Sequence, residues 1–76
     1  MLDESRHLQV DCRGDDGTVV IALTGELDMA SAPELEEAID RAIASAARSV
    51  IVDLRQLEFM DSTGIRLLVA AHKSAL

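Results

Sequence analysis

Aromatic residues are almost missing from this sequence: Phe59 is alone, and there is no Trp and no Tyr. Without rings to stack on bases or sugars, the chain is poorly equipped to hold single-stranded nucleic acid or carbohydrate. Its core has to be built from Leu, Ile, Val and Ala. Basic residues are also few, seven against 14 acidic ones, for a net charge of −7. Arg6, Arg13, Arg41, Arg48, Arg55, Arg66 and Lys73 are scattered, so no basic face exists to neutralise phosphates. This excludes nucleic acid as a partner and disfavours an anionic membrane surface. The lone cysteine, Cys12, permits no intrachain disulfide and reads as a small core or edge residue of a strand. No stretch reaches the ~20 apolar residues of a membrane span, so membrane insertion is not expected. Met1 to Gln9 is polar and lacks the apolar region of a secretory leader, which makes the cytoplasm the expected location.

What is present is 49% hydrophobic residues in 76 positions. A chain this short buries only about 60% of the surface it exposes when unfolded. One domain over residues 1–76, with a small aliphatic core, is expected. Met1 to Arg6 reads as a loose polar lead. Leu8, Val10 and Cys12 then alternate with polar residues, the period of a half-buried strand. Gly14-Asp15-Asp16-Gly17 is a turn cluster in which Asp-Gly favours a tight reversal. Thr18 to Thr24 is β-branched and nearly continuous in apolar character, as suits a central strand covered on both faces.

Ser31 and Glu34 have the spacing of a capping box, and Pro33 falls in the first turn of the helix they open. Its apolar stripe runs Leu35, Ala38, Ile39, Ala42, Ile43 and Ala46. Val50 to Leu54 is a short apolar run, read as a buried strand. Strand, helix and strand in succession make a right-handed βαβ crossover with parallel strands. Arg55 to Met60 reads as a loop, unusually apolar for one because it holds Leu57, Phe59 and Met60. A second helix starts near Asp61 or Ser62, with an inward stripe of Ile65, Leu68, Val69 and His72 and with Leu76 a turn beyond.

The stretch Phe59-Met60-Asp61-Ser62-Thr63-Gly64-Ile65 carries the functional signal. Asp61, Ser62 and Thr63 offer three capping side chains at a helix start where one is enough. Phe59 and Met60 place large apolar groups directly before them, and Gly64 allows another backbone to approach. A hydroxyl at a helix start beside an apolar patch suits a phosphate switch. Phosphorylation there adds about −1.5 to −2 charge to a contact surface.

Two segments, Leu23-Thr24-Gly25-Glu26-Leu27-Asp28 and Val50-Ile51-Val52-Asp53-Leu54 through Ile65, resemble the two signature blocks of STAS-domain anti-sigma factor antagonists. One helix fills the gap between them, as in that family. The resemblance implies an α/β fold: a mixed sheet with an N-terminal β-hairpin, the βαβ crossover and helices packed on the sheet. Family members usually continue into a further strand and helix, so the fold would be truncated after the second helix. It implies a partner, an anti-sigma factor with serine kinase activity, and phosphorylation of Ser62, the serine after the motif aspartate. A serine phosphatase restores the active form. It places Asp28, Met29, Ala30, Ser31, Phe59, Met60, Asp61, Thr63 and Gly64 on or near the docking face. STAS domains that are transporter subunits or stress-signalling scaffolds share these blocks and are the alternative.

Two other classes fit less well. A receiver domain is suggested by Asp53 at a strand end, but the first strand ends in Cys12-Arg13-Gly14 rather than the acidic pair that holds Mg²⁺. An enzyme would need a nucleophile and base at workable spacing or a phosphate loop, and neither is visible. No catalytic residue, cofactor or metal is expected.

Overall fold

A computed structural model describes residues 7–75; the polar lead Met1 to Arg6 and Leu76 lie outside the described residues. Five elements follow in order: β1 (Gln9–Asp15), β2 (Thr18–Leu27), α1 (Ala32–Ala44), β3 (Ser49–Met60) and α2 (Ser62–Ala75). The strands form one mixed sheet in the order β1-β2-β3. β1 pairs antiparallel with β2, closing at Asp15 opposite Thr18. The two residues between them, Asp16 and Gly17, have φ of 53° and 86°. Positive φ at both positions is the type I′ geometry whose twist matches a hairpin, so the Asp-Gly reading holds. The carbonyl of Gly17 accepts from the N–H groups of Arg48 and Ser49 at 2.7 and 3.2 Å, which ties the turn to the start of β3.

β2 and β3 run parallel with α1 as the crossover. The expected loop from Arg55 to Met60 is instead the second half of β3. Two register shifts hid it. Ala22 faces Asp53 and Thr24 faces Gln56, so Leu54 and Arg55 stand against Leu23 alone. Gly25 faces Leu57 and Glu26 faces Phe59, which leaves Glu58 extra. Bulges break the period-two pattern that a sequence reading depends on. At the first bulge the carboxylate of Asp53 accepts from Arg55 N–H at 3.0 Å and from the Arg55 guanidinium at 2.9–3.2 Å. This pair holds the Asp53 carboxyl at about 2, well below its usual range, first through the guanidinium hydrogen bonds and then through the backbone one.

The core lies on one face of the sheet. Leu8, Ile21, Leu23 and Leu27 meet Ala32, Leu35, Ala38, Ile39 and Ala42 of α1, and Leu67, Leu68 and Ala71 of α2 pack against the same cluster. The expectation that β2 is covered on both faces is therefore wrong. Both helices stack on one side, and on the other Val20 and Ala22 are half-buried and Ile51 is exposed. Cys12 is exposed on the edge strand, at a hollow beside Ala38 and Ala42.

Two helix faces also differ from expectation. In α1, Ile43 is exposed, and Ala46 lies beyond the helix end with φ of 62°, its N–H donating to Ile43 O. In α2 the inward face is Gly64, Leu67, Leu68 and Ala71, whereas Ile65, Val69 and His72 point out. The cause is Gly64. A Cβ there would stand 2.8 Å from Leu27 Cδ2 and 2.8 Å from Met60 Cγ, so the helix backbone lies directly against these sheet side chains at this residue. With position 64 inward, positions 67, 68 and 71 follow at helical spacing. No helix among the described residues is long and apolar enough to cross a membrane.

Candidate functional site

The two sequence blocks meet at one end of the sheet. Leu27 pairs with Met60, the last residues of β2 and β3. One residue on, Asp61 N–H donates to Leu27 O at 3.1 Å. The loop after β2 (Asp28 to Ser31) and the start of α2 (Asp61 to Gly64) are thereby held side by side.

In the loop, Asp28 and Ser31 clasp each other. Asp28 Oδ1 accepts from Ala30 N–H at 3.0 Å and from Ser31 N–H at 3.1 Å. Ser31 Oγ accepts from Asp28 N–H and donates to Glu26 O, both at 3.0 Å. The expected capping box does not form: Ser31 occupies the N-cap position, but its hydroxyl makes no capping bond because the loop has engaged it. Glu34 instead faces His7 at 3.2 Å. Ser31 is 3% exposed, so it shapes the loop from beneath. Met29, held at the tip, is 75% exposed.

At the helix start, Asp61 Oδ1 accepts from Thr63 N–H at 2.9 Å and from Gly64 N–H at 3.2 Å. The aspartate therefore satisfies the unpaired donors of the first turn, the work of an N-cap. Ser62 is left exposed, with no hydrogen bond to its hydroxyl among the described residues. Phe59 is 51% exposed beside this corner, Met60 is half-buried against the core, and Gly64 is buried. Of the residues expected on the docking face, Met29, Ala30 and Phe59 are on the surface, as is the expected phosphorylation site Ser62, and Asp28, Asp61 and Thr63 are half-buried.

Sequence reasoning missed the neighbours that extend this surface. Ile65 is 52% and Val69 49% exposed, three and seven residues beyond Ser62 on one face of α2. Met29 and Thr63 also line an open groove of about 400 Å³ between the helices, together with Pro33, Glu36, Arg66 and Leu67. The signal for both was Gly64, whose need to face the sheet sets the roll of α2. No group of His, Cys, Asp and Glu able to hold a metal ion occurs among the described residues.

RsfB of Mycobacterium tuberculosis, an anti-sigma-F factor antagonist, is 36% identical over 57 residues, 75% of this chain and 47% of RsfB. The crystal structure of an anti-sigma factor antagonist from Mycobacterium paratuberculosis matches with a TM-score of 0.85 at 32% identity, over 95% of this chain and 62% of that one. The Bacillus cell fate determinant SpoIIAA in its phosphorylated form matches with a TM-score of 0.69 at 32% identity, over 90% of this chain and 61% of that one. The chain thus spans between about half and under two thirds of these proteins. The STAS domain model matches residues 9–76, and the chain belongs to that family.

Proposed function

We propose that this chain is an anti-sigma factor antagonist. It binds an anti-sigma factor that is also a serine kinase, so that a sigma factor is released, and it loses that binding when Ser62 is phosphorylated. A serine phosphatase reverses the change, and the cycle runs in the cytoplasm. The reading rests on one observation: the Ser62 hydroxyl is exposed and unengaged at the first position of α2, because Asp61 has taken the capping role. RsfB is named as an antagonist of an anti-sigma factor, and SpoIIAA has been solved in a phosphorylated form. Both support the reading.

The chemistry follows from the corner. Ser62 Oγ attacks the γ-phosphorus of ATP held by the kinase; the O–P bond forms, ADP leaves, and the hydroxyl proton passes to a base of the kinase. The antagonist supplies only the nucleophile. Met29 and Phe59 provide the apolar contacts around it, with Ala30, Asp61 and Thr63 beside them. Asp28, Ser31, Met60 and Gly64 fix this surface from below. The product phosphate adds about −1.5 to −2 charge next to the Asp61 carboxylate and the exposed apolar side chains. A docked partner then meets like charge or has to desolvate a dianion.

Co-purification with candidate anti-sigma factors, with and without ATP, tests this. Ser62→Ala retains binding and resists phosphorylation, and Ser62→Asp weakens binding by about tenfold or more, roughly 1.4 kcal/mol. Phosphate located by mass spectrometry at Thr63 instead, or full affinity in Ser62→Asp, contradicts the assignment.

A further inference from the structure

The groove beside Ser62 contains a cation that no established interaction uses. Arg66 is exposed, lines the groove opposite Glu36, and makes no ion pair among the described residues. The other arginines among the described residues are engaged: Arg13 lies at 3.2 Å from Asp11, Arg41 at 2.7 Å from Glu37 and Arg55 at 2.9 Å from Asp53, and Arg48 donates to the carbonyl of Asp16 at 3.4 Å. Arg66 follows Ser62 by four residues on α2. That spacing puts the two side chains on the same face of the helix, with the anionic position N-terminal to the cationic one, the favourable order. Two donors of the first turn are already taken: Thr63 and Gly64 N–H bind Asp61, which leaves the N–H of Ser62 itself. A phosphate on Ser62 therefore finds little of the helix end free, and it stands next to the Asp61 carboxylate. Its available counter-ion is the guanidinium one turn on, which can form two parallel hydrogen bonds to phosphate oxygens.

We infer that Arg66 is the internal phosphate receptor of this switch: when Ser62 carries phosphate, Arg66 leaves the groove shared with Met29 and Thr63 and pairs with the phosphoserine. This deepens the Ser62 reading and rests on it. Phosphorylation then does two things at once, adding a dianion at the corner and withdrawing the one cation from the groove wall among its described residues. Glu36, left across the groove, makes that wall acidic.

The test installs phosphoserine at position 62 of the 76-residue chain by codon suppression, so that no kinase is involved. Phosphorus NMR then follows its second ionisation. In Arg66→Gln the second pKa rises by about half a unit relative to the unsubstituted chain, because the cation favouring the dianion is gone while Asp28, Asp61 and Glu36 remain. Arg66→Lys restores most of the difference. A ¹³C label on the Met29 methyl moves on phosphorylation in the unsubstituted chain and not in Arg66→Gln. Equal pKa values in the two proteins, or a Met29 signal that responds identically, overturn the inference. Circular dichroism of Arg66→Gln confirms that this exposed substitution leaves the fold intact. Failure of a kinase to modify Ser62 would sink the functional reading and leave this measurement untouched.

Discussion

Replacing Gly64 by alanine sets two physical effects against each other at the seam that positions Ser62. Within a helix, alanine gains up to about 1 kcal/mol over glycine from backbone entropy. Against this, the new methyl would stand 2.8 Å from Leu27 Cδ2, 2.9 Å from Leu27 Cγ and 2.8 Å from Met60 Cγ. Leu27 has no exposed surface and cannot swing away. Overpacking of such a site costs about 1–3 kcal/mol. Position 64 lies in the first turn, where the propensity gain is smallest, so packing wins. The expected net loss is about 1–2 kcal/mol, with roughly 4–8 °C of Tm per kcal/mol in a chain of this size. Urea and thermal unfolding followed by circular dichroism measure it. A Gly64→Ala protein as stable as the parent refutes the claim that this glycine sets the helix-to-sheet distance. Met60→Ala opens one of the three contacts, so the double variant should lose less than the sum of the two single ones.

Other outcomes follow from the same geometry. Ala46→Gly should raise stability by about 1 kcal/mol, because φ of 62° is strained for a residue with a Cβ; an unchanged urea midpoint contradicts this. Ser31→Ala removes the acceptor of Asp28 N–H from a site 3% exposed and should cost about 1–3 kcal/mol, with faster amide exchange at Ala30 and Ser31 as the loop loosens. The hydrogen bonds from Arg55 hold the Asp53 carboxyl at about 2, below its ordinary 3.8. Its pairing therefore adds stability that is complete above 3.8 and is lost as pH falls through 2. Asp53→Asn should flatten the acid limb of a stability–pH curve over that window, and an unaltered limb counts against the Arg55 pair.

Much of this architecture was readable from short-range chemistry. Asp16-Gly17 names its own turn, and Leu35, Ala38, Ile39 and Ala42 name the buried face of α1. What escaped was set by contacts between elements. The second half of β3 reads as a loop because two bulges break its alternation, and those bulges are defined only by the partner strand. Of the stripe assigned to α2 only Leu68 packs inward, and Ile65, Val69 and His72 turn outward, because a glycine with no apolar side chain decided the roll. The Ser31–Glu34 spacing was right for a cap, yet the hydroxyl was claimed by Asp28 and Glu26, residues on the other side of it in the chain. At the site, the nearness of the two blocks was available only through family resemblance. Arg66 was invisible until the helix phase was known.

Between the pairs Ala22–Asp53 and Leu27–Met60, β2 advances five residues and β3 seven. Those two surplus positions work like a vernier. They bring the strand ends level while delivering α2 at one particular angular phase. Inserting or deleting a single residue near Leu54 or Glu58 would present the opposite pleat at Met60 and start the helix facing another way. A length change in a strand would thus redirect Ser62 as surely as a substitution in the helix that carries it.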